Sequence, residues 1–181
     1  MASTKGLTIT QQPEHNEVAE AIDEFLLRDR FDELALTDQR KYEAWYATYL
    51  TSAALAAGSE SVDYAHANFA PSMPDIRITV FTPKLVIVAQ VDTEFDGVPV
   101  VRAIPRRSLQ TMELSASERI DSRDRRSHEW PGSIVLKLHY RDLKDPIEIV
   151  GEGVNVYRVS EPSALVRLVK ALSADLASDQ T

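Results

Sequence analysis

Residues 76 to 91 read Ile-Arg-Ile-Thr-Val-Phe-Thr-Pro-Lys-Leu-Val-Ile-Val-Ala-Gln-Val, and no other stretch limits the fold as tightly. Ile76, Ile78 and Val80 alternate with Arg77 and Thr79. That period of two predicts a half-buried strand. The chain then turns at Thr82-Pro83, and Leu85 to Val91 is an almost unbroken apolar run rich in β-branched residues. Such a run suits a strand covered on both faces. The sequence before this pair has helical periodicity. After it come strand signals until one last helix, so the expected class is α+β.

Asn16 is placed to cap a first helix with the stripe Val18, Ile22, Phe25 and Leu26. The stripe wanders beyond Leu27, which predicts a turn near Asp32. Thr37 caps a second helix, in which Tyr42, Trp45, Tyr46, Tyr49, Leu50, Ala53 and Ala57 follow helical spacing until Gly58 stops it. Residues 59 to 75 read as a connector, in which Val62, Tyr64 and Phe69 tuck under a neighbour and a short helical turn can form. Pro71 and Pro74 mark a boundary.

Beyond the opening pair, a polar turn over Asp92 to Gly97 leads to strands over 98 to 104, 108 to 115, 134 to 140, 146 to 150 and 154 to 159. Leu109, Met112 and Leu114 carry the apolar content of the second of these. Ile134, Leu136, Leu138 and Tyr140 alternate cleanly in the third. A long charged loop covers 116 to 132, and Gly151 to Gly153 reads as a turn. Ser160 caps the last helix, whose stripe is Leu165, Val166, Val169, Leu172 and Leu176. The resulting division is a flexible 1 to 15, a helical element over 16 to 70 and a β domain over 75 to 178.

Composition removes several functional classes. There are no cysteines, so disulfides, thiolate metal sites and cysteine nucleophiles are out. The formal net charge of −8 argues against a dedicated nucleic-acid binder. The charge is uneven, however. Residues 1 to 100 hold 7 Lys and Arg against 16 Asp and Glu, whereas residues 101 to 145 hold 10 against 7. No apolar signal core lies in the first fifteen residues and no apolar run approaches a membrane span, so a cytoplasmic location is expected.

An antiparallel meander of seven sequential strands must curl or close to hide its edges. The strand count, the helix from Ser160 to Ala177 and two local phrases make residues 76 to 178 resemble the pleckstrin-homology-like family, including its bacterial and GRAM-like members. The phrases are Phe81-Thr-Pro-Lys-Leu-Val-Ile-Val, similar to an early hairpin of that family, and Ile104-Pro-Arg-Arg-Ser-Leu, similar to its turn into a later strand. The resemblance implies a seven-stranded curled sheet or partly open barrel capped by a C-terminal helix. It also implies binding of proteins, peptides or lipid head groups without catalysis. Phosphoinositide-binding members carry several basic residues around the first hairpin, whereas Thr82-Pro83-Lys84 carries one.

Two candidate interaction surfaces stand out. Arg106, Arg107, Arg119, Arg123, Arg125 and Arg126, with Trp130 nearby, could pair with phosphate or carboxylate. Glu118, Asp121, Asp124 and Glu129 are interleaved with them, as in a self-compensating solvated loop. If this segment binds, acidic protein surface fits it better than nucleic acid. Tyr42, Trp45, Tyr46 and Tyr49 form the second surface, either packed on a sheet or exposed as a dimer or partner interface. His15, His66, His128 and His139 have no metal spacing, and no nucleophile elbow, phosphate loop or dinucleotide fingerprint is present. Asp92, Glu94 and Asp96 lack the partners of a calcium loop.

The leading expectation is a non-catalytic protein-interaction module without cofactors, possessing a protein partner and a tendency to self-associate. A second expectation is a small ligand-binding or catalytic α+β cone of the NTF2-like type with a pocket under the 37 to 57 helix. A third is peripheral binding to anionic membrane through Arg106, Arg107 and the 119 to 126 loop.

Overall fold

The computed structural model describes residues 12–28, 39–69, 75–92, 99–116, 133–152 and 163–178. Two helices lead, α1 (Gln12–Arg28) and α2 (Gln39–Ala57). Four strands follow, β1 (Tyr64–Phe69), β2 (Asp75–Phe81), β3 (Leu85–Asp92) and β4 (Val100–Pro105). A 3-10 turn, Arg106–Ser108, leads into β5 (Leu109–Ala116), β6 (Ser133–Tyr140) and β7 (Ile147–Glu152), and α3 (Ala164–Ser178) closes the order. Among the described residues no helix is long and apolar enough to cross a membrane.

The strands form two antiparallel sheets, ordered β1-β2-β3-β4 and β5-β6-β7, where the sequence predicts one curled sheet. The division falls at the 3-10 turn. There Pro105 has no N–H to donate, and the turn interrupts the ladder. The strand β1 corrects the predicted connector over 59 to 75. It pairs with β2 from Tyr64 opposite Phe81 to Phe69 opposite Ile76. The first sheet therefore begins ahead of Pro71 and Pro74. Residues 82 to 84 connect the second strand to the third and are not the first hairpin.

Each face of the four-stranded sheet meets a different partner. Ala65, Ala67, Ile76, Ile78, Val80, Ile87 and Ala89 face α1 and α2. Tyr64, Phe81, Val86 and Ile104 occupy one cross-strand row on the other face. That row joins Leu136, Leu138, Ile147 and Ile149 of the second sheet and Leu165, Leu168 and Leu172 of α3. The strand β2 is thus covered on both sides, with Thr79 and Phe81 buried opposite Ile78 and Val80, and is not half-buried as predicted. The small side chains of Ala65 and Ala67 let α1 lie close over β1.

The helix α2 covers the sheet and does not project from it. It ends where predicted. Gly58 takes φ +66°, and its N–H donates to the Ala54 carbonyl at 3.0 Å. The helix α1 starts at Gln12, ahead of the predicted cap at Asn16 and inside the stretch expected to be flexible. On α3 the hydroxyl that accepts the Val166 N–H, at 3.2 Å, belongs to Ser163. Ser160, the predicted cap, lies outside the described residues. Leu168 joins the predicted α3 stripe as a third fully packed position.

Gly151 belongs to β7, opposite Ile134, and corrects the predicted turn. A Cβ at this position would stand 3.0 Å from Leu165 Cδ2. Glycine is placed there by the close passage of α3, not by a bend. Leu114, part of the apolar content that the sequence assigns to β5, is exposed. The predicted caps and turns at Thr37, Asp32 and 93 to 97, and the predicted strand over 154 to 159, lie outside the described residues.

Candidate interaction corner

The site is built on the turn between β2 and β3. Thr82 N–H donates to the Leu85 carbonyl at 2.9 Å, and the Thr82 hydroxyl accepts the Leu85 N–H at 2.9 Å. The same hydroxyl donates to Glu60 Oε2 at 2.6 Å. Glu60 also accepts the Lys84 N–H at 3.2 Å and pairs with Lys84 Nζ at 2.9 Å. The segment after α2, three residues beyond its end at Ala57, is thereby stitched to the hairpin. The Thr82 hydroxyl foremost, then Lys84, holds the Glu60 carboxyl below its ordinary 4.5 despite partial burial.

The sign of that shift gives a pH prediction. A depressed carboxylate stabilises the fold above its unfolded pKa, and that contribution is lost as pH falls through the folded value. The melting temperature should therefore fall below about pH 4.5, and part of the fall should vanish in Glu60→Gln. Identical acid limbs for the two proteins would show that Glu60 contributes nothing.

Arg106 ties this hairpin to the far end of the chain. Its Nε donates to Asp175 Oδ2 at 2.7 Å, and its Nη1 donates to Asp63 Oδ2 at 2.8 Å and to the Thr82 carbonyl at 2.9 Å. Its own N–H donates to the Lys84 carbonyl at 2.7 Å. Burial opposes the charge on this guanidinium, but Asp175 and then Asp63 outweigh it and hold its pKa above the ordinary value. One side chain therefore joins the end of the α2 connector, the β2–β3 turn, the 3-10 turn and α3. Tyr140 is buried near Arg106 and Asp175, its hydroxyl has no hydrogen-bond partner among the described residues, and burial pushes its pKa up.

Two surface clefts flank the 3-10 turn. One, of about 410 Å³, is lined by Lys84, Pro105, Arg106, Arg107 and Asp175 among others. The other, of about 420 Å³, is lined by Pro105, Arg107, Ser108, Arg141 and Asp142. The Arg141 N–H donates to the Ser108 carbonyl at 3.0 Å, which fixes the two turns side by side.

The predicted interaction residues separate sharply. Arg106 is 8% exposed and neutralised, so it belongs to the structural knot and not to a basic surface. Arg107, the next residue, is exposed. Tyr46 and Tyr49 lie in the layer between α2 and the sheet, where the Tyr46 hydroxyl donates to Asp23 Oδ1 at 2.6 Å. Trp45 is partly buried against the same cluster. Of the two alternatives for this row, packed on a sheet or exposed as an interface, these three rings take the packed one. Tyr42 lies on α2, and the description does not extend to its side chain. Arg119, Arg123, Arg125, Arg126 and Trp130 lie outside the described residues. His139 stands 3.2 Å from Glu113 Oε1 on the outer face of the second sheet. Among the described residues no cluster of His, Asp and Glu is arranged to hold a metal.

Asp63, Thr82, Asp175 and Arg141 were missed by sequence reasoning. Asp175 alone left a signal. It falls three residues after Leu172 and seven after Leu168, on the apolar stripe of α3, where a carboxylate needs a buried partner.

No protein-family profile matches the chain, and no curated protein matches it. Solved structures similar to it include a DUF1696-family protein with a pleckstrin-homology domain from Shewanella loihica PV-4. Identity is 16%, over 62% of this chain and 80% of that one, at a TM-score of 0.33. They also include the hSac2 domain from the human phosphoinositide phosphatase Sac2, at 15% identity over 78% of this chain and 84% of that one, with a TM-score of 0.38. Similarity at this level carries no argument about what this chain does.

Proposed function

We propose that the chain is a non-catalytic protein-interaction module on a pleckstrin-homology-like scaffold. Support for the scaffold comes from four strands, then three, then an amphipathic helix packed against both sheets. The observation that carries the function is the corner at Arg106–Ser108. There a buried ionic knot holds two adjoining surface clefts in fixed positions. A preorganised surface loses little entropy on binding. The aromatic face that motivated self-association packs inside the fold, so the reading rests on this corner instead. Peripheral membrane binding loses Arg106, which the knot neutralises.

The test is photocrosslinking from a benzophenone amino acid placed at Asp142, which lines a cleft, and at Glu148, which is exposed on the second sheet. The reading expects discrete protein adducts from position 142 in native extract and none from position 148. Adducts from neither position, or equally from both, overturn it.

A further inference from the structure

We infer that the cleft between the 3-10 turn and the β6–β7 turn docks a carboxylate-rich segment of a protein partner, gripped by Arg107 and Arg141. The inference rests on the interaction reading above and names the partner chemistry.

The two clefts differ in charge. In the first, Lys84 is held by Glu60, and Arg106 is held by Asp63 and Asp175. Two of its three cations already have carboxylate partners, and the third, Arg107, is shared with the second cleft. In the second, Arg107 and Arg141 face a single carboxylate, Asp142. Both arginines are exposed, and among the described residues neither side chain makes an ion pair. Two guanidinium forks beside one cleft supply planar, paired N–H donors that match carboxylates in geometry as well as in charge.

The backbone holds this pair in place. The Arg141 N–H bond to Ser108 joins the turns that carry the two arginines. The β5–β6 register shifts between Leu109 and Thr111, directly after the 3-10 turn. A bulge at this point re-aims the side chains around it. Arg106, buried next to Arg107, anchors the same turn from beneath.

The whole chain carries a formal charge of −8, which repels an acidic partner at long range. That repulsion is screened beyond about 8 Å at physiological salt, so the arginine pair decides the encounter at contact. The cleft is large enough for several side chains, which favours a run of acidic residues over a single ion.

A fluorescein-labelled hexaglutamate peptide followed by fluorescence anisotropy tests the inference. Saturable binding is expected, and it should disappear near 1 M salt, where the screening length is about 3 Å. Arg107→Glu and Arg141→Glu should each weaken it about tenfold or more, while Lys170→Glu, the same charge change on exposed α3, should leave it within about twofold. Inorganic phosphate should compete only weakly. Vesicles containing phosphatidylserine, followed by flotation, should not capture the protein.

Absence of saturable peptide binding overturns the inference. Equal weakening by Lys170→Glu overturns it too, because the site would then be diffuse charge. Capture by vesicles without peptide binding replaces a protein partner with a lipid surface. Adducts from position 142 that persist when the peptide fails leave the interaction module standing and remove only its acidic partner.

Discussion

A chain that begins at Asp75 should not fold. It retains six of the strands and α3, the stretch that the sequence sets apart as a β domain. Without α1 and α2, however, Ile76, Ile78, Val80 and Ile87 face water, and each is at most 3% exposed in the full chain. Exposing such a side chain costs about 1.5–3 kcal/mol, so these four together cost about 6–12 kcal/mol. A whole domain is stable by only about 5–15 kcal/mol. The truncation also removes Tyr64 from the second core and Asp63 from Arg106. The expected product binds a hydrophobic dye and shows no cooperative urea transition. A chain that begins at Ser59 keeps β1, Glu60 and Asp63 but still lacks the helical layer, so it should fail in the same way. If either short chain gives a sharp cooperative transition with a folded near-ultraviolet signal, the helices are an attachment and not a wall of the core.

That expectation also shows where the sequence was legible. The strands β3 and β6 declare themselves because their β-branched and leucine residues must fill a core from a pleated surface. The helix α2 declares itself because its aromatic stripe and terminal glycine agree. The strand β1 does not. Its Tyr-Ala-His-Ala-Asn-Phe has few good strand formers, because the face that packs against the helices carries the small Ala65 and Ala67. Gly151 misleads for a related reason. Its missing side chain makes room for Leu165, a contact 14 residues away in sequence that no local pattern can show.

The candidate corner was legible only as a pair of arginines. Consecutive residues of a 3-10 turn point about 120° apart, so one can enter the core while the next meets solvent. Nothing in Pro-Arg-Arg-Ser says which is which. The decision lies with Asp63 and Asp175, carboxylates 43 residues before Arg106 and 69 after it. Seen from one face of α3, Asp175 is out of place in a row of leucines. That misplacement was the readable half of the pair.

Replacing Arg106 by leucine should lower stability by about 3 kcal/mol, at the lower end of the usual cost of orphaning a buried charge. The lower end applies because the side chains of Asp63 and Asp175 remain 34% and 27% exposed and can regain water once the guanidinium is gone. The Thr82 carbonyl loses a donor as well. For a chain of this length the loss corresponds to about 6–12 °C in melting temperature. Arg106→Leu combined with Asp175→Leu should recover part of it, because a knot with both charges removed leaves fewer unpaired groups than a knot with one. A stability change under about 1 kcal/mol in the single variant would mean that the knot behaves as a surface ion pair and holds nothing together. The two neighbouring arginines should then divide stability from binding. Arg107→Glu should leave the melting temperature unchanged and weaken the acidic peptide. Arg106→Leu should lower the melting temperature and weaken the peptide as well, since the turn that carries Arg107 loses its anchor beneath. If both variants affected only binding, Arg106 would touch the partner directly, against its burial under Asp63 and Asp175.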